Sequence, residues 1–359
     1  MKQPPTRQPV VVTGASGFLG SYLTAELASR GETVVATSRR RPRFLDDHPS
    51  VRFVAADIRD KDALRPALEG ASRVYHCAAL FDFWQRAEDL MAVNAGGTRA
   101  LVEAMTAAGV AELVNVSSAS VYGKGYRNHL CVEGDAPFPA DKYARSKWEQ
   151  ERAVAERASP GKLRAVSLRP GAIYGPGSHY GDAIALYLLK KGLLFCVPGL
   201  GKVISSHAHV KDVCLAAIHL GDTALSDATD PIALAYNVCD STPTFNEELL
   251  RRVSELIPRK GLLGFWKHLR IPGFSLYLAA FLAELLAVVT RSRPLFEVAS
   301  IHYITCGHGC TNGKLLGSGY KFMYPSLVDG LTETVGWYEA TDWRVFSDPD
   351  LLYTCLKKA

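Results

Sequence analysis

Short runs of β-branched and other apolar residues alternate with longer amphipathic stretches through the first half of the chain. The apolar runs predict six buried strands, at residues 10–13, 33–36, 51–55, 73–77, 113–117 and 165–169. The stretches between them predict helices at residues 18–30, 62–69 and 87–108, each closed by a glycine, and a further helix after Ala140. Strands that alternate with helices are typical of a parallel sheet covered on both faces.

The regular alternation fades after Pro170, where glycines and prolines become frequent. Helical periodicity returns at residues 210–220 and 246–256. We therefore expect an α/β protein whose doubly wound parallel sheet is formed by residues 1–170, with parts of residues 205–240 returning to it. Residues 171–204 and 241–345 are expected to form a smaller, mostly helical region that binds the substrate.

Composition favours a folded protein, because 48% of the 359 residues are hydrophobic and 21% are charged. The net charge is +5, and the chain has no basic run with interleaved aromatic residues, so no nucleic-acid partner is expected. The eight cysteines are scattered, several of them in apolar runs, which is typical of reduced thiols. Because residues 1–8 are polar and the first apolar run is short, the sequence predicts a cytoplasmic protein.

The first predicted strand leads into a glycine-rich loop that opens a helix. Glycines at this spacing let the backbone approach a pyrophosphate closely, and the N–H groups of a helix N-terminus bind phosphate oxygens. With a strand before it and a helix after it, the loop predicts a Rossmann-type dinucleotide site. Contacts with the coenzyme are expected from Gly14, Ser16, Gly17, Phe18, Leu19 and Gly20.

The end of the second predicted strand indicates which coenzyme binds. An NAD site carries an acidic residue there, which holds the ribose hydroxyls. This chain has Ser38, Arg39 and Arg40 instead, and a guanidinium pairs with the 2′-phosphate of NADP. NADP(H) is therefore favoured; NAD(H) is the alternative, in which the arginines form a solvated surface. Further coenzyme contacts are expected from Asp57 and Ile58 beside the adenine, and from Ala78 and Ala79 beside the coenzyme backbone.

Tyr143 and Lys147 are four residues apart on a predicted helix, so their side chains lie on one face. A free phenol has a pKa near ~10, and a neighbouring cation stabilises its phenolate. Tyr143 is expected to exchange the proton of a secondary alcohol or its ketone, while Lys147 lowers the tyrosine pKa and binds the nicotinamide ribose. Ser118, at the end of the fifth strand, is expected to hydrogen-bond the substrate oxygen.

Three further motifs accompany the glycine loop, Ser118 and the Tyr143/Lys147 pair. They are Val93-Asn94-Ala-Gly-Gly97-Thr98, Leu168-Arg-Pro-Gly171-Ala-Ile-Tyr-Gly-Pro-Gly177 and His207-Ala-His-Val-Lys-Asp212-Val213. With them, over nearly its whole length, the chain resembles the extended short-chain dehydrogenase/reductases, and among these the 3β-hydroxysteroid dehydrogenase/isomerase and sterol-4α-carboxylate 3-dehydrogenase branch. The resemblance implies an oxidoreductase of a sterol 3β-hydroxyl or 3-keto group, with oxidative decarboxylation of a 4-carboxysterol as one form of the reaction.

The same resemblance implies roles for residues that the local pattern leaves unassigned. Asn94 would order the active site, and the backbone at Pro170, Gly171 and Ile173 would meet the nicotinamide. From the residues alone, Asn94 is equally well interpreted as a helix-entry residue that bonds local backbone. By the resemblance, the helices at residues 87–108 and 140–158 would pair in a homodimer.

The substrate pocket is expected behind the fourth strand, where Phe81, Phe83 and Trp84 can wall a flat apolar alcohol or ketone; Tyr174 is expected there too. Ordinary loop packing is the alternative. A nucleotide-sugar epimerase or dehydratase shares the Tyr/Lys pair but needs polar groups for a diphosphate, and a reductase of long-chain β-keto acids is also compatible. A regulator without chemistry is disfavoured, because the complete catalytic group is present.

Two groups of histidine and cysteine residues raise the question of a metal. His207 and His209 alternate in an extended segment, whereas Cys306, His308 and Cys310 lie in a glycine-rich loop. A structural zinc site needs four ligands. Neither group supplies a complete set, so no metal is expected, and the two cysteines are interpreted as free thiols.

Residues 272–290 form an apolar stretch in which Glu284 is the only charge. Its length is marginal for crossing a bilayer, and basic residues flank it on both sides. Since family motifs lie on both sides of the stretch, we expect a helix of the substrate region that contacts a membrane peripherally rather than a span. The protein would then be membrane-associated.

Overall fold

A computed structural model of the protein describes residues 8–42, 48–123, 129–159, 162–194, 196–198, 203–225, 234–241, 244–257, 266–292, 294, 297–298, 300–301, 303, 307 and 309–356. The strands are β1 (Val10–Thr13), β2 (Val34–Ser38), β3 (Val51–Ala55), β4 (Arg73–His76), β5 (Glu112–Val116), β6 (Arg164–Pro170), β7 (Ala172–Tyr174), β8 (Cys196–Pro198), β9 (Ile204–Ser205), β10 (His207–His209), β11 (Leu234–Val238), β12 (Thr244–Phe245) and β13 (Trp266–Ile271). The helices are α1 (Phe18–Ser29), α2 (Lys61–Leu68), α3 (Ala87–Leu90), α4 (Gly97–Ala108), α5 (Lys142–Ala155), α6 (Asp182–Lys190), α7 (Val210–Thr223), α8 (Asn246–Leu256), α9 (Gly273–Thr290), α10 (Gly313–Gly317) and α11 (Leu327–Ala340). Short 3₁₀ segments lie at Ala119–Tyr122, Arg344–Phe346 and Pro349–Cys355.

The central sheet has seven parallel strands in the order β3-β2-β1-β4-β5-β6-β11. The order reverses between β1 and β4, which is where a doubly wound sheet binds a dinucleotide. This confirms the predicted Rossmann-type fold. The six predicted strands are present, and β11, which the sequence analysis did not identify as a strand, adds a seventh beside β6. Helices and hydrophobic side chains cover both faces of the sheet.

The predicted helix at residues 87–108 is one helical run of three parts. Between α3 and α4, Met91–Gly96 forms a π-helical turn. Such a widened turn is rare and often lies at a functional site. Here it carries Asn94, whose side chain is fully buried.

A separate hydrophobic core lies between α6, α8 and α11, and it includes Leu186, Leu250, Leu331 and Tyr338. Tyr174 belongs to this core. Its ring is 1% exposed and its hydroxyl donates to the Leu327 carbonyl. The domain boundaries given above stay a prediction.

Helix α9 presents most of its apolar side chains to solvent. Only Ala280 and Ala287 are buried, whereas Phe274 is 73% exposed and Val289 is 74% exposed. The mean hydropathy of the helix is 1.9, so by length and composition this one helix among the described residues could cross a membrane. Glu284 is used within the protein, because its carboxylate accepts a hydrogen bond from the backbone N–H of Val298.

Candidate active site

The glycine loop lies at the reversal point between β1 and β4. A Cβ atom on Gly14, whose φ is +69°, would stand 2.7 Å from the backbone of Ala78 after β4. A Cβ atom on Gly20 would stand 2.2 Å from the Gly14 carbonyl oxygen. Both positions therefore require glycine. The loop ends at Gly17, the N-cap of α1, where no side chain caps the helix, so the first N–H groups of α1 are suited to a pyrophosphate.

A buried hydrogen-bonded network supports this edge of the sheet. The imidazole of His76 bonds the hydroxyls of Thr13 and Thr98, both at 2.8 Å. The Thr13 hydroxyl also accepts the Ala78 N–H. Burial lowers the pKa of His76 to about 3, so the ring is neutral and the network holds no charge beside the coenzyme site. Ala78 and Ala79 come after the end of β4, at the position where they are expected to contact the coenzyme backbone.

The structure brings the three predicted catalytic side chains together. Tyr143 lies in the first turn of α5 and is 8% exposed. Burial raises the pKa of Tyr143, while a hydrogen bond with Ser118 acts against this rise. Ser118 caps the 3₁₀ turn after β5, accepting the N–H of Ser120 at 3.2 Å. The phenol and the serine hydroxyl can therefore hold one substrate oxygen between them.

Lys147 lies one turn after Tyr143 and is 2% exposed. Its ammonium donates to the carbonyl oxygen of Val116 at 2.7 Å. Burial lowers the pKa of Lys147 to about 7, and the charge of Glu151 opposes that shift. Glu151 is itself held by a buried pair with Arg169, with an N–O distance of 2.7 Å. The Lys147 side chain is thus held at the end of β5 by the Val116 carbonyl, from a position one helical turn after Tyr143 on α5.

Asn94 connects the loop after β4 to the catalytic helix. Its side-chain amide accepts the Leu80 N–H at 2.7 Å and donates to the Leu80 carbonyl at 3.0 Å. It also donates to the hydroxyl of Ser146 on α5 at 2.9 Å. The backbone that it bonds lies 14 residues away in sequence, so the local helix-entry role does not describe it. We interpret Asn94 as a positioning residue.

Aromatic rings surround the Tyr143 phenol. The ring centroid of Phe81 lies 4.8 Å from that of Tyr143, and the centroid of Phe83 lies 5.8 Å from it. Tyr180 packs against Phe81, and Tyr303 packs against Phe83. Trp84 is half-buried in the same loop, and its backbone N–H donates to the Asp82 carboxylate at 2.9 Å. Tyr174 was predicted here wrongly, because its ring fills the second core.

The residues expected around the adenine end lie at the ends of β2 and β3. Ser38 is buried, and its hydroxyl donates to the Arg40 carbonyl, whereas Arg39 and Arg40 are exposed. Arg59 holds the Asp57 carboxylate at 2.8 Å and lowers the pKa of Asp57 to about 2, with a smaller contribution from the charge of Arg39. The negative charge of Asp57 is therefore partly neutralised by Arg59.

Ile58 follows Asp57 and is buried. At the other end of the expected site, Pro170 ends β6 and Ile173 lies in β7. Between them, the Gly171 N–H donates to the Val238 carbonyl, and a Cβ atom on Gly171 would stand 2.3 Å from the Ser206 carbonyl oxygen. This segment is fixed against β11, at the carboxyl edge of the sheet. Its contact with the nicotinamide stays a prediction.

The two histidines considered as metal ligands are buried in β10, and each lies beside one acidic side chain. The Nδ1 atom of His207 lies 2.7 Å from the Asp182 carboxylate, and the Nε2 atom of His209 lies 3.6 Å from Glu333. Cys306 and His308 lie outside the described residues, and Cys310 is a free thiol. Within the described ranges, no group of three or more histidine, cysteine or acidic side chains is arranged to hold a metal.

Sequence reasoning missed Tyr180, Tyr303 and Asp141. Asp141 is the N-cap of α5: its carboxylate accepts the Ala144 N–H at 2.8 Å, and its other oxygen accepts the Tyr303 hydroxyl at 2.6 Å. An aspartate directly before a helix is a recognisable cap signal. Nothing local marks Tyr303, which reaches the site across 162 residues of sequence.

A family model described as the NAD dependent epimerase/dehydratase family matches residues 10–239. Over 320 residues the chain is 30% identical to a Mus musculus protein named sterol-4-alpha-carboxylate 3-dehydrogenase, decarboxylating; the match covers 82% of this chain and 83% of that protein. Over 280 residues it is 30% identical to a Mycobacterium tuberculosis 3 beta-hydroxysteroid dehydrogenase/Delta 5→4-isomerase, covering 74% of this chain and 72% of that protein.

Solved structures share the architecture. The dTDP-glucose 4,6-dehydratase of Streptomyces venezuelae, solved with NAD bound, superposes with a TM-score of 0.72 over 93% of this chain and 98% of that chain. The two sequences are 22% identical, a likeness that shows the fold alone.

Proposed function

The chain belongs to the NAD dependent epimerase/dehydratase family, and we propose that it is an NAD(P)-dependent oxidoreductase of the 3β-hydroxyl or 3-keto group of a sterol or steroid-like substrate. The observation that carries the proposal is the aromatic wall that Phe81 and Phe83 form beside the Tyr143 phenol. The ring centroids of Phe81 and Tyr143 lie 4.8 Å apart. Such a wall suits a flat apolar ring system. The two relatives named above, which are sterol and steroid dehydrogenases by name, support the same class.

The proposed chemistry assigns one task to each side chain. Ser118 donates to the substrate oxygen and orients it against Tyr143. In oxidation, the Tyr143 phenolate takes the hydroxyl proton; in reduction, the phenol returns it. The Lys147 ammonium stabilises the phenolate electrostatically. When bound, the nicotinamide supplies or accepts the hydride.

The proposal is tested by measuring coenzyme reduction with a panel of 3β-hydroxysterols, 4-carboxysterols and nucleotide sugars. We expect turnover of sterols. Enzymes that act on nucleotide sugars share this fold. Turnover of nucleotide sugars without turnover of any sterol would therefore contradict the proposal.

For the coenzyme, we propose a preference for NADP(H). Arg39 and Arg40 are exposed directly after β2, and Asp57 beside them is paired with Arg59. Free guanidinium groups favour a 2′-phosphate through charge-assisted hydrogen bonds.

The double variant Arg39→Ala/Arg40→Ala is therefore expected to raise the Kd of NADP(H) by roughly tenfold or more and to change that of NAD(H) little. Fluorescence titration of both coenzymes measures this. Arg52→Ala is the control, since Arg52 donates to the Pro66 carbonyl on α2. Equal losses for both coenzymes would mean that the arginines do not contact the 2′-phosphate.

We propose that α9 lies on a membrane surface. Phe281 is 57% exposed, Leu285 is 53% exposed and Val289 is 74% exposed, and their spacing of four residues places them on one face. Burying such side chains in the acyl boundary stabilises the bound state by about 1.5–3 kcal/mol each.

Phe281→Asp combined with Leu285→Asp is expected to weaken binding to phospholipid vesicles at least tenfold, which co-sedimentation measures. Leu193→Asp is the matched control, because Leu193 is 61% exposed but lies after α6. Wild-type protein that stays in the supernatant, or equal losses in both variants, would exclude the membrane role of α9.

A further inference from the structure

Three of the described cysteines lie together in a small hydrophobic cluster that the proposed chemistry does not use. Cys131, Cys239 and Cys310 are each 1% exposed, and they pack with the rings of Tyr122 and Trp148. Cys131 lies in the segment between β5 and α5, Cys239 follows β11, and Cys310 precedes α10. The fold thus gathers thiols from three segments that are far apart in the sequence.

Two of these cysteines face each other across a short parallel β-bridge, which pairs Cys131 with Cys310. The Cys131 N–H donates to the Gly309 carbonyl at 2.9 Å, and the Thr311 N–H donates to the Cys131 carbonyl at 3.0 Å. Neighbouring strands lie about 4.8 Å apart, and paired residues point to the same face. Since a disulfide requires Cα atoms about 4.4–6.8 Å apart, the backbone already holds this pair at a distance that one S–S bond spans.

Further hydrogen bonds fix the backbone of both cysteines. The Cys310 N–H donates to the Ser206 hydroxyl at 2.7 Å, and the side-chain amide of Asn237 donates to the Cys131 carbonyl at 3.1 Å. The third thiol is directed to backbone, because the Sγ atom of Cys239 donates to the Cys310 carbonyl at 3.3 Å. Cys131 and Cys310 are therefore positioned as a pair, with Cys239 beside them.

The thiols of Cys131 and Cys310 hydrogen-bond each other, and this bond makes them differ in acidity. The bond from the Cys310 thiol lowers the pKa of Cys131, whereas the same bond, together with burial, holds the pKa of Cys310 well above its usual value. The thiolate is the form of cysteine that reacts with peroxides. Cys131 is therefore suited to react first, and Cys310 is placed to react with the product.

We propose that Cys131 and Cys310 are a redox-active pair that hydrogen peroxide oxidises to a disulfide. The Cys131 thiolate attacks one peroxide oxygen, the O–O bond breaks, and the leaving hydroxide takes up a proton to form water. Cys131 is then a sulfenic acid. The Cys310 sulfur attacks the Cys131 sulfur, so that the S–S bond forms, the S–O bond breaks, and the departing hydroxide leaves as water with the Cys310 proton. One peroxide becomes two waters while two thiols become one disulfide.

The disulfide would join two segments that border the start of the catalytic helix. Cys131 precedes α5 in the chain, and Cys310 follows Tyr303, whose hydroxyl bonds the Asp141 carboxylate at the N-cap of α5. Oxidation therefore adds a covalent link close in sequence to a contact that fixes this helix terminus. A thiol reductant reverses the link by exchange.

The test maps the disulfide in peroxide-treated Cys306→Ser protein by mass spectrometry of tryptic peptides without reduction. The peptide 128–142 contains Cys131 as its one cysteine, and the peptide 292–314 contains Cys306 and Cys310, so this variant leaves one way to join the two. We expect the joined peptides, and their separation by dithiothreitol. The free thiol of Cys131 should disappear roughly tenfold faster than that of Cys196, which is 3% exposed on β8.

Cys239→Ser is the matched control, since it removes a thiol from the same cluster and should leave the joined peptides in place. Cys310→Ser should abolish them. Fragmentation of the joined peptides from wild-type protein distinguishes a link at Cys310 from one at Cys306. Absence of the joined peptides once Cys196 has been oxidised, or a link from Cys131 to Cys306 or Cys239, would overturn the proposal.

Discussion

Replacing Tyr143 with phenylalanine is expected to lower kcat by roughly 10²–10⁴-fold. The substitution removes the hydroxyl that exchanges the substrate proton and keeps the ring that packs against Phe81 and Phe83. The fold and the aromatic wall should therefore survive. Because Lys147 and the glycine loop are unchanged, the Kd of the coenzyme should stay within a few-fold of the wild-type value. Steady-state kinetics and coenzyme titration measure the two quantities.

Tyr187→Phe serves as the control for this experiment. Tyr187 stacks on Phe346 beside the second hydrophobic core, with ring centroids 4.3 Å apart, and it has no contact with α5 among the ring contacts of the described residues. Its hydroxyl should not affect kcat. Full activity of Tyr143→Phe would mean that another group moves the proton, and Ser118 would be the first to examine.

Replacing Gly20 with alanine is expected to raise the Kd of the coenzyme by more than about 100-fold. The added methyl group would lie 2.2 Å from the Gly14 carbonyl oxygen, well inside van der Waals contact. Backbone cannot yield as a flexible side chain does, so the loop that we propose to bind the coenzyme phosphates must change shape. A displacement of this kind removes several hydrogen bonds to charged oxygens at once, each of which contributes about 1.5–3 kcal/mol.

Gly17→Ala is the graded comparison within the same loop. A Cβ atom there stands 3.3 Å from the Gly14 carbonyl oxygen, a contact that a small shift relieves. Coenzyme titration should therefore show a smaller loss for Gly17→Ala than for Gly20→Ala. Circular dichroism of both variants confirms that the protein is folded. Equal affinities in the two variants would show that the close approach at Gly20 does not shape the site.

The parts of the molecule that could be predicted from sequence are those determined over short distances along the chain. Gly14, Gly17 and Gly20 lie within seven residues, from the end of one strand to the first turn of one helix. Tyr143 and Lys147 are one helical turn apart. The six predicted strands are rich in apolar residues, as is typical of a parallel sheet that is covered on both faces. Their order in the sheet follows from the doubly wound pattern.

The features that sequence missed depend on contacts between distant segments. The strand β11 contains a buried polar residue, Asn237. Its burial is tolerated because Tyr122 donates a hydrogen bond to its side-chain oxygen at 2.8 Å. Tyr303 belongs to the site only because the fold brings it to Asp141. Tyr174 lies in a motif of the family, yet its ring is directed into the second core, since β7 pairs with β10 there. No local periodicity carries such information.

Oxidation at C3 can be observed by following the hydrogen on that carbon. A 3β-hydroxysterol carrying deuterium at C3 is incubated with the protein and oxidised coenzyme, and both products are analysed by mass spectrometry. We expect one deuterium in the reduced coenzyme for each 3-ketone formed, and loss of this transfer in Tyr143→Phe. Label that stays in the sterol, with no reduced coenzyme released, would contradict a net oxidation at C3.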